Sequence, residues 1–361
     1  MAEIVATNFD AIAKFAGQYN KQFVAQILNG LEFLEDVLVL RNVSGLGQLL
    51  PKLTVNGGIR PLNLNVETPK GSNRNFSGRK IVPKGGMKII QINPDEAMAT
   101  FLDDGTWGPN APTMPYEQWV MVQEMAKIAE EINDNIYLGV DQSAADVWDA
   151  GTAYAIGDYV KFNEVIYLCI VDTLAGESPL TTSASWQDAD DVSINKGWGT
   201  LLAEEILAGN LPMSNIITTG ALTTVNAWEK VNLIYNGMTA AHKKKGGTVL
   251  MSCENFSNYL IAEKAAFQNT AVPDMGDGEK YVFGTGKKWK IKMGGASYLG
   301  TSGRVIFNNQ GKNLVFGTNI ESDMNSIGKM VPTIHGMKSV VKWTQSCEFS
   351  DLEVLYVNDV A

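Results

Sequence analysis

The sequence predicts an α+β chain with a small all-β module inserted between a long helix and a middle domain. Three observations predict it. Helical stripes of apolar residues recur from Ile12 to Ile27 and from Val122 to Ile136. From Trp289 onward the chain turns largely to strands joined by Gly/Asn turns. Between these lies a compact aromatic segment, Val147 to Asp190, which opens on Trp148, closes on Trp186 and is punctuated by Gly151, Gly157, Gly176 and Pro179.

The first stripe (Ile12, Phe15, Tyr19, Phe23 and Ile27) follows Asn8, a good N-cap. A partner-facing arm and an ordinary core helix share this pattern. Lys52 to Ile92 reads as an extended two-stranded excursion with a glycine-rich polar tip. Its stretch from Lys70 to Lys88 carries six basic residues (Lys70, Arg74, Arg79, Lys80, Lys84 and Lys88) and no acid. Phe76 is the one aromatic there, too few for base stacking. Pro115 and Glu117 then suit the first turn of the clearest helix. Val122, Met125, Ile128, Ile132 and Ile136 form its stripe, and Glu124 and Glu131 belong to its acidic remainder. After the module comes a helix on Val231, Ile234 and Met238, stopped by Gly246-Gly247, with an interior strand over Thr248 to Ser252. The runs KWKIKMGG, GRVIFNN, KNLVFGTNI, KSVVKWTQS and LEVLYVN read as strands.

The composition of the 361 residues, 45% hydrophobic and 19% charged, is that of a globular chain with a substantial core. Nine of the acids and a single lysine fall between Asp146 and Asp191, so this module holds eight of the ten net negative charges. The acidic balance excludes a wholesale nucleic-acid binder but allows a local basic patch. No apolar run approaches membrane-spanning length, and the opening MAEIVATNFD predicts no secretory signal. Cys169, Cys253 and Cys347 are too far apart for a CxxC pair and read as buried thiols in a reducing cytoplasm.

No catalytic constellation emerges, and no metal or cofactor is implied. His242 and His335 stand away from cysteines and carboxylates at metal-ligand spacing and read as structural. Gly284-Thr285-Gly286-Lys287-Lys288 is not a phosphate loop: Tyr281 occupies the place of the first glycine, and Lys288 that of the Ser/Thr. The adjacent acids Asp103-Asp104 and Asp190-Asp191 diverge rather than flank a bond.

The order of arm, basic hairpin, acidic helix, mixed domain and strand-rich return resembles the tailed-phage major capsid proteins of the Hong Kong 97-type fold. The stretch from Thr224 to Leu260 is similar to that family's axial-domain helix and following strand. KNLVFGTNIESD is similar to its return to the peripheral domain, with Asn319 where aspartate is common. The resemblance implies an N-terminal arm (1–51), an extended loop (52–92), a peripheral domain with its spine helix (93–143), the insert (144–191), an axial domain (192–306) and peripheral return strands (307–361). It implies a non-enzymatic subunit of hexamers and pentamers closing an icosahedral shell, assembled in the bacterial host cytoplasm and found in the virion. Double-stranded DNA is enclosed without sequence-specific binding, and portal and scaffolding proteins are the implied partners. The basic hairpin would lie across a neighbouring subunit, with Glu124 and Glu131 of the spine helix as its receivers.

The insert resembles small chitin- or cellulose-binding modules, three-stranded β units. Trp148, Tyr154, Gly157-Asp158, Val160, Asn163, Tyr167, Pro179 and Trp186 match their pattern. Leu168 to Asp172 lacks the tryptophans that stack on sugars in binding members. Core packing and glycan contact are both open for Trp148 and Trp186, while Tyr154 and Tyr159 are the candidates for exposure. Two rival readings stand beside the phage shell: an encapsulin-type bacterial compartment, and a secreted glycan-degrading enzyme with a binding module.

Overall fold

The computed structural model describes residues 27–56, 73–92, 116–139, 141, 145–155, 158–163, 165–188, 193–267, 279–309, 312–319, 326–327, 331–333 and 336–360. The expected first helix before Ile27, Lys70 and His335 lie outside these residues.

The chain is mixed α/β. Among the described residues, a short 3-10 turn (Glu32–Glu35) leads into β1 (Leu38–Leu40), followed by the pair β2 (Gln48–Asn56) and β3 (Asn73–Ile81), then β4 (Lys84–Ile92) and helix α1 (Tyr116–Asn135). The aromatic segment holds β5 (Asp146–Val147), β6 (Tyr159–Phe162), β7 (Val165–Cys169) and β8 (Trp186–Asp188). Next come α2 (Trp198–Leu207), β9 (Ile216–Ile217), α3 (Ala227–Gly237), α4 (Ala240–Lys245), β10 (Gly247–Leu250) and α5 (Cys253–Ala266). The remainder is β11 (Lys280–Tyr281), β12 (Trp289–Ile291), β13 (Ile306–Asn308), β14 (Leu314–Thr318), β15 (Ser326–Ile327), β16 (Val331–Thr333), β17 (Gly336–Phe349) and β18 (Leu355–Asn358).

Two six-stranded sheets organise these elements. In the first, β17 is the shared partner: β4 and β14 pair along it, and β15 and β16 add short stretches. The second runs β11-β12-β10-β13-β18-β9. Alternate residues of its central strands feed two cores. Val249, Phe307 and Tyr356 pack with Val231, Ile234, Phe256 and Tyr259 of α3 and α5. Leu250, Ile306, Leu355 and Val357 point the other way, into the core that holds the α1 stripe and Val341, Trp343 and Phe349 of β17. A sheet covered on both faces explains why VIFNN and VLYVN read as near-continuous apolar runs.

That arrangement corrects two boundaries read from the sequence. The return segment 307–361 is not one peripheral unit, because β13 and β18 belong to the second sheet and only β14 to β17 belong to the first. Nor is 52–92 one excursion. The hairpin is β2–β3, paired from Gln48↔Ile81 to Asn56↔Asn73. After Pro83 the chain joins β17 from Lys84↔Gln345 to Ile92↔Met337, because Ile90 and Ile92 are core residues. A short helix, α4, also stands between α3 and Gly246. Gly246 sits at φ +76°, and a Cβ on Gly247 would lie 2.1 Å from the Asn308 carbonyl oxygen. Both glycines are therefore required for β10 to enter the sheet.

Phe33 locks the first core. Its ring meets Phe316, Trp198 and Tyr298 edge-on at 4.9, 5.6 and 6.2 Å, joining the segment before β1 to β14 and α2. The Trp198 indole donates to the Glu348 carbonyl at 3.2 Å, tying α2 to β17. Replacing Phe33 by Ala is expected to cost about 3–5 kcal/mol. In urea denaturation of the full chain this appears as a lower midpoint with an unchanged slope.

Candidate assembly interface

The β2–β3 ribbon has two unlike faces, and alternation along each strand sets them. Leu50 and Ile81 are buried against Val43 and Val315. On the same face, Lys52 pairs with Asp351 at 2.7 Å and Glu353 at 2.9 Å. Arg79 forks to Glu205 at 2.6 Å and Glu348 at 2.8 Å. These contacts fasten the base of the ribbon to its own chain. The opposite face carries Leu49, Leu53, Val55 and Phe76, each about half exposed or more, with Arg74 and Lys80 also exposed. Toward the tip, Leu53 to Val55 and Arg74 to Ser77 are exposed on both faces.

The six basic residues therefore divide. Lys70 lies outside the described residues. Arg79 is engaged with Glu205 and Glu348, Lys84 sits 3.0 Å from Asp141, and Lys88 reaches Glu124 at 3.2 Å and Glu131 at 3.6 Å. The spine acids thus meet a lysine of their own chain, because β4 lies along β17 and turns Lys88 toward α1. Only Arg74 and Lys80 are exposed among the described members of the set. Sequence reasoning treated all six alike. The strand alternation that separates Arg79 from Lys80 was the signal available to it.

The aromatic segment folds as a four-stranded sheet, β5-β6-β7-β8, one strand more than the pattern implies. Its small core is Val160, Cys169 and Trp186, with Trp148, Tyr154 and Tyr167 packed against it. Trp186 is 5% exposed. Its ring lies 5.6 Å from that of Tyr154, edge to face, and Trp148 meets Phe162 in the same way at 5.3 Å. The Tyr154 hydroxyl accepts from the Asp149 amide at 2.7 Å. Rings held in this way help build the core. Tyr159 is half-buried, and burial raises its phenol pKa. The strongly exposed apolar side chains of the module are aliphatic: Val147, Leu174 and Leu180.

His242 is hydrogen-bonded through Nδ1 to the Thr239 hydroxyl at 2.7 Å and lies 3.2 Å from the Tyr356 hydroxyl. Cys169 and Cys347 are buried, but Cys253 is exposed, contrary to the reading of all three as buried, because it opens α5 at the surface. Burial pushes the Cys347 thiol up to about 12. Among the described residues, no group of His, Cys, Asp and Glu could hold a metal ion, and no helix is long and apolar enough to cross a membrane.

No protein-family model matches this chain, and neither does any curated protein. Solved structures do resemble it. One is a chain of the satellite phage P4 procapsid that includes the size determination protein, at 9% identity, covering 93% of this chain and 89% of that one, with a TM-score of 0.48. Another is the capsid of Myoviridae phage XM1, at 9% identity, covering 91% of both chains, with a TM-score of 0.46. A third is a virus-like particle from Pyrococcus furiosus, at 10% identity, covering 96% and 99%, with a TM-score of 0.40.

The Arg79 fork generates a test. The hydrogen bond from Arg79 holds the Glu205 carboxyl below its ordinary 4.5, against the opposing effect of burial. A depressed carboxylate stabilises the fold fully above its unfolded pKa and loses that contribution as pH falls through the folded one. Arg79→Met is expected to cost about 1.5–3 kcal/mol at neutral pH, the range for hydrogen bonds to charged groups, leaving Glu348 without its cation. The variant should also lose less stability than the parent as the pH drops below 4.5, measured by urea midpoints across that window.

Proposed function

We propose that the chain is the major shell subunit of a tailed bacteriophage, assembling as hexamers and pentamers into an icosahedral capsid around double-stranded DNA. The β2–β3 ribbon is the observation that carries the reading. A two-stranded hairpin is at best marginally stable alone in water. This one is fastened at its base, projects beyond it, and leaves Leu49, Leu53, Val55 and Phe76 without cover. A contiguous apolar face on an extended ribbon marks a surface that another protein completes. In a closed shell, the neighbouring copy covers it, with Arg74 and Lys80 meeting acids of that neighbour. The order of the parts along the sequence supports the same reading. Portal and scaffolding proteins are the further partners it entails.

The acidic module then decorates the outer surface, where its charge is held away from packaged phosphates. Core-bound rings favour decoration over adhesion. The full chain is expected to pass unretained through chitin and cellulose columns. Retention that disappears in Tyr159→Ala would restore the adhesion reading.

Electron microscopy of the purified full chain is expected to show capsomers or closed shells, and a strictly monomeric protein would overturn the proposal. Arg74→Glu with Lys80→Glu should abolish shells while leaving the circular dichroism spectrum and urea midpoint unchanged. Shells filled with enzyme rather than genome would point to the encapsulin-type compartment.

A further inference from the structure

One end of the second sheet gathers lysines that the assembly reading does not use. β10 and β12 run parallel, with Gly247 opposite Trp289. The residues just before each strand are therefore neighbours: Lys243, Lys244 and Lys245 at the end of α4, and Lys287 and Lys288 in the turn after β11. The Gly247 amide donates to the Lys288 carbonyl at 2.9 Å, which holds the two segments together. β13 leaves the sheet at the same end, where the Asn309 side-chain amide donates to the His242 carbonyl at 3.0 Å.

No acid of these segments offsets the charge. The sequence contains no Asp or Glu from Lys230 to Cys253, and none from Lys280 to Ile320. Other lysines of the second stretch are neutralised from elsewhere: Lys280 by Glu263, Lys290 by Glu279 and Lys292 by Asp36. Glu279, which lies within electrostatic reach of Lys287, is hydrogen-bonded to Lys290, and Asp351 and Glu353 are taken by Lys52. Lys244, Lys245, Lys287 and Lys288 are exposed, and none forms an ion pair among the described residues. The turn that carries the second pair is open: nothing lies within 4 Å of a Cβ built on Gly284 or Gly286. Lys287 itself is held at φ 62°, a left-handed conformation costly for a side-chain-bearing residue.

We infer that this lysine edge is a binding site for the phosphate backbone of duplex nucleic acid, indifferent to its sequence. Compact ammonium charges on flexible stems suit phosphates at varied spacing, whereas base recognition needs forked guanidinium or free aromatic faces. The nearest aromatic of the turn, Phe283, is packed 4.9 Å from Phe267 and 6.1 Å from Trp228. An acidic protein surface is the competing occupant. It is less suited, because the exposed side chains at the starts of the two strands are lysines, and Phe283, the exposed apolar side chain of the turn, already packs against Phe267 and Trp228.

The inference goes beyond the shell reading and does not rest on it. The test is fluorescence anisotropy of the purified full chain with a random-sequence duplex of about 30 base pairs, titrated at several salt concentrations. Binding should weaken steeply with salt. In the variant carrying Lys244→Gln, Lys245→Gln, Lys287→Gln and Lys288→Gln, affinity at low salt should fall tenfold or more. The slope of log K against log salt should shrink by about 3–4, near 0.9 per lost phosphate contact. An unchanged urea midpoint would verify that the variant is folded. A parent chain that does not bind, or a variant with the same affinity and slope, overturns the inference. So does a variant whose self-association changes in sedimentation while its DNA affinity does not, since that outcome assigns the edge to an acidic protein surface. Electron micrographs of both proteins report shell formation separately, so the two proposals fail independently.

Discussion

The long strand β17 is the constraint on which the rest depends. Over residues 337–345 it hydrogen-bonds to β4 on one edge, and over 345–349 it bonds to β14. Its inward side chains, Val341, Trp343 and Phe349, line the core beneath α1. Its Glu348 carbonyl receives the Trp198 indole, while the Glu348 carboxylate receives Arg79 from the hairpin. A register slip of one residue would turn these side chains to the opposite face and break both attachments together. The orientation of the ribbon thus follows from the pairing of a strand more than 250 residues away in sequence.

Charge is distributed in the same economical way. Acids that would otherwise crowd the surfaces of β17, α1 and α2 are met within the chain: Glu348 and Glu205 by Arg79, Glu124 and Glu131 by Lys88. The half-exposed Lys88 pairs contribute little individually. Their effect is to consume positive charge near the root of the hairpin, while Arg74 and Lys80 stay exposed at its face. The acidic module carries the compensating charge in a separate small fold. Its aromatic rings help close a small core around Val160, Cys169 and Trp186.

The stripe of Val122 to Ile136, the strand character of the last seventy residues and the separateness of the acidic module were legible in the sequence, because each is a local property. Periodicity decides which face of a helix is buried, and a dense cluster of aromatics with glycine turns closes on itself. Assignment of strands to sheets was not legible, since β13 and β18 look like their neighbours and differ only in which partner they find. The split among the basic residues was half legible. Alternation separates Arg79 from Lys80, but only the docking of the base on Glu205 and Glu348 says which face is the inner one.

The lysine edge shows the same division. By itself the sequence determined that two long stretches, Lys230 to Cys253 and Lys280 to Ile320, lack any acid, and that Gly284 to Lys288 cannot hold a nucleotide in a phosphate loop. Only the tertiary structure decided that the lysines of the two stretches stand side by side. That follows from the parallel pairing of β10 with β12, which sets the starts of both strands at one end of the sheet. Hydrogen-bond register between segments some forty residues apart has no signature in local composition, and it emerges only when the strands meet.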